Sequence, residues 1–431
     1  MICTRESYID ALKQSRFNGL VKVLTGIRRC GKSFLLFKLY HDFLISEGVK
    51  EDHIIMIALD RIENERLCDP HELYQAIMQR IIHTDQPYYV FIDEAQYAIS
   101  KEELAVKDKP FGLYGVLNSL LRMQNVDVYV TGSNSRFLST DVMTEFRGRG
   151  DVIPVYPLRF SEFFSCVGGD KADAYESYAL YGGMPYVLNL DQNEKKQRYL
   201  SGLFEEIYFK DIVERYGIKY QAALGMITDA LCSSIGSLTN ASKISRTLTS
   251  ALGKRIDAET VSSYLRYLSD SFLFCEVKRY DVKGKRYFQY PSKYFCTDVG
   301  LRNARLNFRQ QEESHLMENI IFNELVARGY HVDVGVVNHS EKGADGKQVR
   351  KNLEVDFVVN LGMDRLYIQS ALSVDDEKKK LQEKRSLLAI RDGFRKVIIT
   401  KTRAKPWLDE DGILRLGLYD FLLDQNSLRS W

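Results

Sequence analysis

One octapeptide near the amino terminus has the residue types and spacing of a phosphate-binding loop. It runs from Gly26 to Ser33 as GIRRCGKS and fits G-x-x-x-x-G-K-[ST]. Glycines let backbone N–H groups turn towards phosphate oxygens, the lysine reaches the β- and γ-phosphates, and the final hydroxyl ligates Mg²⁺. We therefore predict ATP and Mg²⁺ as ligands. The predicted nucleotide-binding residues are Gly26, Ile27, Arg28, Arg29, Cys30, Gly31, Lys32, Ser33 and Phe34, and Lys32 is also predicted to be catalytic.

A pair of acids ends the apolar run YYVFI, as Asp93 and Glu94 of the sequence DEAQ. This is a Walker B arrangement, in which Asp93 joins Ser33 in holding Mg²⁺ and Glu94 orients and polarises the attacking water. The alternative is a solvated turn in which the two acids only end a strand. A P-loop kinase or simple GTPase has no need of the second carboxylate, so the pair favours an ATPase.

Polar residues next to two later apolar runs are further candidates for catalytic roles. Asn134, which follows the run VDVYVT, is predicted to sense the γ-phosphate, with Ser133 as second choice and a plain polar turn as the alternative. Arg147 and Arg149 precede the fifth run. Either guanidinium could stabilise the transferring charge at the γ-phosphate of a neighbouring subunit, which predicts a homo-oligomer, or pair locally with Glu145 or Asp151.

Short apolar runs supply the elements that must position these residues. They are Val21–Thr25, His53–Leu59, Tyr88–Ile92, Val126–Thr131 and Asp151–Tyr156. Runs that are nearly continuous in β-branched and aromatic residues are typical of parallel strands buried on both faces, and helical spacing separates them here. We predict an α/β fold with a doubly wound parallel sheet, in which Val21–Thr25 leads into the loop and an apolar helix from Phe34 follows it.

Composition narrows the class of protein. The 431 residues include 60 basic and 58 acidic side chains, a net charge of +2, so a nucleic-acid site would have to be a local patch. Seven cysteines form no Cys/His cluster, which argues against a structural zinc. The charged amino terminus has no apolar leader, and no run approaches the roughly 18 apolar residues of a membrane span. We expect a cytoplasmic protein that does not contact membranes.

These blocks together resemble one AAA+ family of bacteria and archaea. Its members carry GxRRxGKS/T, a DEAQ-type Walker B, TGS(N/S)S, an LRGR-like block, PLxFxEF and (Y/L)GG(F/M)P. The last three read FRGR at 146–149, PLRFSEF at 157–163 and YGGMP at 181–185. The resemblance implies an AAA+ ATPase core at residues 1–157, a helical lid at 158–225, a winged helix at 226–305 and a C-terminal restriction-endonuclease-like α/β domain at 306–431. DEAQ also occurs in superfamily 2 helicases, but nothing after Pro157 resembles their second lobe.

Residues 226–300 have the pattern of a recognition helix followed by a hairpin. The predicted buried face comprises Val261, Tyr264, Leu265 and Leu268, which leaves Ser262, Ser263, Arg266 and Tyr267 facing outward. A hairpin around Val282–Lys285 interleaves cations with aromatics, as in a wing that touches nucleic acid. The predicted DNA contacts are Arg266, Lys283, Lys285 and Arg286. A solvated hairpin, or a winged helix that contacts protein, is an equal alternative.

The C-terminal domain resembles a PD-(D/E)xK nuclease whose site is broken. The resemblance places site acids at Glu318 and Asp356, whereas Gln369 and Ala371 stand where the pattern has an acid and a lysine. No nearby lysine in the sequence replaces the lost one, so we expect no nuclease activity. The stretch Asn338–Asn352, rich in Gly, Lys and Asp, is predicted to be a loop.

Two functions remain open at this level. The first is Mg²⁺-dependent ATP hydrolysis that moves the winged helix and C-terminal domain relative to the P-loop core. The second is a nucleotide-gated switch with negligible turnover, in which ATP alters affinity for DNA or a partner protein. A degenerate nuclease that only binds DNA is a weaker third hypothesis.

Overall fold

The computed structural model describes residues 3–99, 112–132, 148–284, 286–342, 348–372, 377–402 and 405–429. The chain divides into two compact units. The amino-terminal unit comprises Ile2–Pro157 with Asp270–Phe272, and the carboxy-terminal unit comprises Leu158–Ser269 with Leu273–Trp431. None of the helices within the described ranges is long and apolar enough to cross a membrane.

Five parallel strands form the sheet of the amino-terminal unit. They are β1 (Val21–Thr25), β2 (Ile54–Ala58), β3 (Tyr88–Asp93), β4 (Val126–Thr131) and β5 (Gly150–Pro154), in the order β2-β3-β4-β1-β5. Every residue of the three central strands is buried, whereas the edge strand β5 is mostly part-exposed. Continuous apolar runs therefore fold as expected for strands covered on both faces, and the predicted parallel sheet is confirmed.

Helices flank this sheet along the chain. They are Glu6–Gln14, Lys32–Phe34, His41–Ser46, Pro70–Met78 and Gly112–Leu121, with a π-helical segment Leu35–Tyr40 and 3₁₀ turns Glu51–His53, Ile62–Cys68 and Ala95–Ala98. The two helices Pro70–Met78 and Gly112–Leu121 pack their apolar residues against β3 and β4 in one core cluster. Asp69 caps the first of these by accepting hydrogen bonds from the backbone N–H groups of His71 and Glu72.

Helices dominate the start of the carboxy-terminal unit. Along the whole unit the helices are Phe160–Val167, Lys171–Tyr181, Asn193–Gly202, Lys210–Tyr216, Gln221–Ser233, Ala241–Leu252, Ala258–Asp270, Val299–Arg305, Glu313–Ala327, Glu377–Leu388 and Leu418–Leu423. A 3₁₀ turn Pro185–Asn189 and a π-helical segment Leu203–Phe209 lie between them. The predicted buried face of the helix Ala258–Asp270 is confirmed. Tyr267, predicted to face outward, instead stacks on Tyr216 with ring centroids 3.8 Å apart.

A nine-stranded sheet completes this unit. Its strands are β6 (Leu238–Thr239), β7 (Phe274–Asp281), β8 (Arg286–Cys296), β9 (His331–Lys342), β10 (Gln348–Leu361), β11 (Asp364–Ala371), β12 (Arg395–Thr400), β13 (Trp407–Leu408) and β14 (Leu414–Gly417). Their order is β13-β14-β12-β11-β10-β9-β7-β8-β6. The predicted hairpin is present as antiparallel β7 and β8, and β7 also pairs in parallel with β9.

The loop predicted at Asn338–Asn352 is wrong for most of its length. Residues 338–342 of β9 pair antiparallel with residues 348–352 of β10, and only 343–347 lie outside the described residues. Gly, Lys and Asp disfavour strands locally, but cross-strand pairing in a larger sheet overrides that preference.

The YGGMP block forms a tight backbone joint within the carboxy-terminal unit. A Cβ on Gly182 would lie 2.2 Å from Oδ1 of Asp298, and one on Gly183 would lie 2.1 Å from the carbonyl oxygen of Leu158. Asp298 is fully buried and accepts hydrogen bonds from the N–H groups of Gly183 (2.7 Å) and Leu301 (3.0 Å). Glycine is therefore required here by close approach of the chain segments.

Candidate nucleotide-binding site

The P-loop follows the carboxyl end of β1, as predicted from the sequence. Gly26 has φ +142°, and a Cβ there would lie 2.1 Å from the carbonyl oxygen of Val155. Gly31 has φ +99° and stands at the start of the helical turn that begins at Lys32. Both glycines thus hold conformations that place the helix amino terminus beside the loop, the geometry that binds anions.

Side chains of the loop divide between packing inward and pointing outward. Ile27 and Cys30 are buried, and the Cys30 thiol donates to the carbonyl oxygen of Val155 at 3.2 Å. Arg29 is exposed and left-handed, with φ 64°, and Phe34 is 44% exposed. Arg28 is half-buried. Since Ile27 and Cys30 face the core, only their backbone groups can meet a ligand.

Arg5 supports the loop from behind, a contact for which the sequence carries no signal. Its guanidinium donates to the carbonyl oxygens of Cys30 (3.0 Å) and Tyr156 (2.7 Å) and lies over the ring of Tyr8. Arg5 is buried and itself left-handed, with φ 49°. These bonds tie the loop to the segment after β5.

Lys32 is buried within the curve of the loop. Its ammonium donates to the carbonyl oxygens of Gly26 at 2.9 Å and Ile27 at 3.1 Å. The cation therefore lies on the inner side of the loop, where phosphate oxygens would compete with these two carbonyls for it.

A continuous hydrogen-bond chain links the loop to the acid pair. The Ser33 hydroxyl donates to Oδ1 of Asp93 at 3.0 Å. Thr131, the last residue of β4, donates to the same carboxylate oxygen and accepts from the N–H of Glu94 at 3.1 Å. The position of β4 between β1 and β3 brings Thr131 to this point. The polar pattern after β4 pointed to Asn134 and carries no sign of this role for Thr131.

Burial shapes the electrostatics of the acid pair. Burial of Asp93 raises the pKa of its carboxyl above the ordinary value, and hydrogen bonds from Thr131 and Ser33 oppose the shift. A divalent cation would favour the ionised form and offset that desolvation. Ser33 and Asp93 offer the hydroxyl and carboxylate oxygens that Mg²⁺ prefers, so the residues present fit this ion.

Glu94 is held at both its backbone and its side chain. Its backbone is left-handed, with φ 52°, and the side-chain amide of Gln96 donates to its Oε2. The 3₁₀ turn Ala95–Ala98 places Gln96 beside it. The sequence shows Gln96 as part of DEAQ without indicating this contact.

Of the remaining predicted residues, Asn134 and Arg147 lie outside the described residues. Arg149 is exposed, and its guanidinium donates to Oδ1 of Asn118 at 3.1 Å. Gly150 pairs with Val21, so Arg149 stands at the amino ends of the strands, whereas the P-loop follows their carboxyl ends. Five strand residues at about 3.3 Å each separate the two edges by roughly 17 Å.

A second polar cluster lies in the carboxy-terminal unit, at the predicted nuclease-like site. The buried ammonium of Lys293 in β8 is 2.9 Å from Oε1 of Glu318 and 2.8 Å from Oε1 of Glu354. A lysine distant along the chain thus lies beside these acids, where it pairs with two carboxylates. Lys293 carries no local signal in the sequence, because strand pairing, and not proximity along the chain, brings the hairpin to these acids.

Asp356 and Gln369 complete this cluster. Burial, with Glu318 nearby, raises the pKa of Asp356 well above its ordinary range, although Lys293 opposes the shift. Asp356 accepts from the Ser370 N–H at 2.7 Å, and Gln369 accepts from the Asp356 N–H at 3.4 Å. Within the described ranges, no group of three or more His, Cys, Asp or Glu side chains is arranged to hold a metal ion.

The fold and the P-loop geometry define an AAA-type ATPase core. Residues 18–164 match the family described as AAA domain, and residues 172–312 match a domain of unknown function, DUF8612. A protein of Haemophilus influenzae is 33% identical over 427 residues, covering 97% of this chain and 98% of its own length. The chain therefore belongs to the same family of AAA-domain proteins.

Two further matches are to archaeal proteins. A Methanocaldococcus jannaschii protein is 26% identical over 388 residues, covering 86% of this chain and 79% of its own length. The solved Walker-type ATPase of Pyrococcus abyssi is 17% identical, covers 71% of this chain and 96% of its own length, and superposes with a TM-score of 0.48.

Proposed function

We propose that the amino-terminal unit binds ATP with Mg²⁺ and hydrolyses it. The observation that carries this proposal is the chain of hydrogen bonds from Ser33 through Asp93 and Thr131 to the N–H of Glu94. It joins the residue that ends the P-loop to the backbone of Glu94, whose side chain is the second carboxylate that a protein that only binds nucleotide does not need.

Each residue then has one task. Backbone N–H groups between Gly26 and Ser33 bind phosphate oxygens, and Lys32 neutralises their charge. Ser33 and Asp93 would hold Mg²⁺, which draws charge from the phosphates when bound. Glu94 accepts a proton from the attacking water. From the sequence, Asn134 reads the γ-phosphate.

Phosphate release by wild type and Glu94→Gln tests this proposal. We expect Glu94→Gln to bind a fluorescent ATP analogue like wild type but to turn over about 100- to 1,000-fold more slowly, the range typical of a lost general base. Glu65→Gln, an exposed glutamate of the same unit, is the control and keeps full activity. Equal turnover in wild type and Glu94→Gln excludes the role of Glu94.

The alternative is the nucleotide-gated switch. It requires wild type to retain bound ATP for longer than its complex with DNA or a partner lasts. Single-turnover hydrolysis measured against ligand exchange separates the two functions, because an ATPase releases phosphate within each binding event and a switch does not.

Residues 221–296 support the proposal of a winged helix. Three helices, with β6 after the first, precede the β7–β8 hairpin, and β6 pairs antiparallel with β8. Lys283 at the hairpin turn donates to the carbonyl oxygen of Asn338 at 2.7 Å, and the N–H of Val282 donates to Val336. Since β9 holds the turn, we propose that DNA contact depends on exposed Arg266 of the helix more than on the hairpin; Lys285 and the side chain of Arg286 lie outside the described residues.

Residues 313–417 support a nuclease-like core without nuclease activity. A helix, the antiparallel strands β9, β10 and β11, a crossover helix and parallel β12 follow in order. Gln369 is a neutral amide where a carboxylate is needed, and Lys293 already pairs with Glu318 and Glu354. Because this core shares one sheet with the hairpin, we propose that the two move as one body during the ATPase cycle.

A further inference from the structure

Only one end of the Gln96 side-chain amide makes a hydrogen bond in the structure. Its Nε2 donates to Oε2 of Glu94, whereas its Oε1 is buried and has no hydrogen-bond partner among the described residues. The reverse amide orientation would bring two oxygens together, so the assignment follows from the contact itself. Leaving a buried acceptor without a partner is destabilising, so this atom calls for a partner in another state.

The position of that oxygen limits what its partner can be. Oε1 belongs to the same planar amide as Nε2, so it adjoins the Glu94 carboxylate. Phosphate oxygens of ATP have no hydrogen to donate, and Lys32 and Ser33 are engaged with the loop carbonyls and Asp93. The donor that ATP hydrolysis itself brings beside Glu94 is the attacking water.

Resting on the proposed ATPase function, we propose that Gln96 is a catalytic residue whose Oε1 accepts one hydrogen of the attacking water while Glu94 accepts the other. The water oxygen forms a bond to the γ-phosphorus as the bond from that phosphorus to the β–γ bridging oxygen breaks and ADP leaves. The proton shared with Glu94 passes to its carboxylate. The hydrogen facing Gln96 stays on the oxygen and becomes part of the phosphate product.

The surrounding backbone is built to hold this pair still. Glu94 keeps a left-handed conformation, which is strained for a non-glycine residue, and its N–H donates to the hydroxyl of Thr131. The N–H of Tyr97 donates to the Glu94 carbonyl oxygen at 3.0 Å, and buried Ala95 and Ala98 anchor the turn. Once the closed site admits a water beside Oε1, two acceptors held in this way would orient it for attack.

A double-mutant cycle tests the proposal. We expect Gln96→Met, which keeps the side-chain length, to lower kcat about 10- to 100-fold while KM for ATP, ATP-analogue affinity and Tm stay near wild type. Gln75→Met, at an exposed glutamine of the helix Pro70–Met78, is the matched control and keeps wild-type kcat. Because both acceptors serve one water, Glu94→Gln/Gln96→Met turns over like Glu94→Gln alone.

Three results overturn the proposal and are distinct from one another. Wild-type kcat in Gln96→Met shows that Oε1 does not meet the water. A full extra loss in the double variant, or a loss of ATP affinity in Gln96→Met, shows that Gln96 only supports the fold. Absence of phosphate release by wild type itself refutes the ATPase function beneath the proposal.

Discussion

The hydroxyl of Ser33 donates a hydrogen bond to Oδ1 of Asp93 at 3.0 Å across sixty positions of the chain. Ser33 lies in the first turn of the helix after β1, and Asp93 ends β3, which is two strands away in the sheet. The parallel arrangement brings both to the carboxyl edge, where open α/β sheets bind ligands. That one contact joins two sequence motifs into a single site.

Gly26→Ala tests the close approach beneath the loop. The new Cβ would lie 2.1 Å from a backbone oxygen of Val155, which cannot rotate away, at a φ of +142°. We expect a loss of stability on the order of 3 kcal/mol or more and loss of ATP binding. Gly115→Ala, in open space on a helix, is the control and stabilises by up to about 1 kcal/mol. Urea unfolding of both variants checks this, and equal stabilities contradict it.

Arg149→Ala tests action between subunits. Arg149 stands at the sheet edge opposite its own P-loop, so a catalytic role for it requires the nucleotide of another copy. We expect turnover to fall about 10³-fold, with ATP affinity unchanged, whereas Arg122→Ala, at another exposed arginine, has no effect. Mixing Arg149→Ala with Glu94→Gln should restore part of the activity, since mixed neighbours form intact sites. No recovery in a mixture shown by light scattering to be oligomeric argues against a role in trans.

We expect DNA binding through the proposed winged helix to depend on Arg266 more than on Lys283. A phosphate contact contributes about one unit to the slope of log K against log salt. We expect Arg266→Ala to lower that slope by about one in fluorescence anisotropy with a short duplex. Lys283→Ala should leave it unchanged because the ammonium already donates to Asn338. A wild-type affinity that is independent of salt excludes phosphate-dominated DNA binding.

Lys293→Met tests the paired acids of the carboxy-terminal unit. Removing the ammonium leaves two carboxylates, Glu318 and Glu354, without their shared cation, which should lower the free energy of unfolding by about 3–5 kcal/mol. Lys219→Met, at an exposed lysine, should leave the free energy of unfolding unchanged.

Wild type should not cut DNA in Mg²⁺ or Mn²⁺. Cleavage that Asp356→Ala abolishes would show that the nuclease site is active.

Asp298 should make the free energy of unfolding fall as pH rises. Burial raises its pKa from 3.8 to about 6, so the folded protein favours the neutral acid. Stability from this group is complete below pH 3.8 and is lost as pH rises through about 6, a loss of about 3 kcal/mol. Urea unfolding of wild type minus that of Asp298→Asn should follow this curve. A difference that is constant with pH contradicts it.

The amino-terminal sheet and the loop could be read from the sequence because their signals are local. Val21–Thr25 and Val126–Thr131 are buried throughout. The glycines of Gly26–Ser33 mark the positions where the backbone takes a positive φ. The acid pair after β3 was equally visible. Asn338–Asn352 was misread as a loop because its pairing partner, not its composition, decides that it forms strands.

The sequence by itself determined that this protein has a P-loop, an acid pair and a parallel sheet, since each follows from residue type and short-range spacing. Tertiary structure alone decided that Thr131 bridges Asp93 and Glu94, that Arg149 lies at the sheet edge opposite its own loop, and that Lys293 joins acids distant in sequence. The physical reason is that these contacts arise from strand order. Strand order is set by how the whole chain buries its apolar surface, and no local pattern records it.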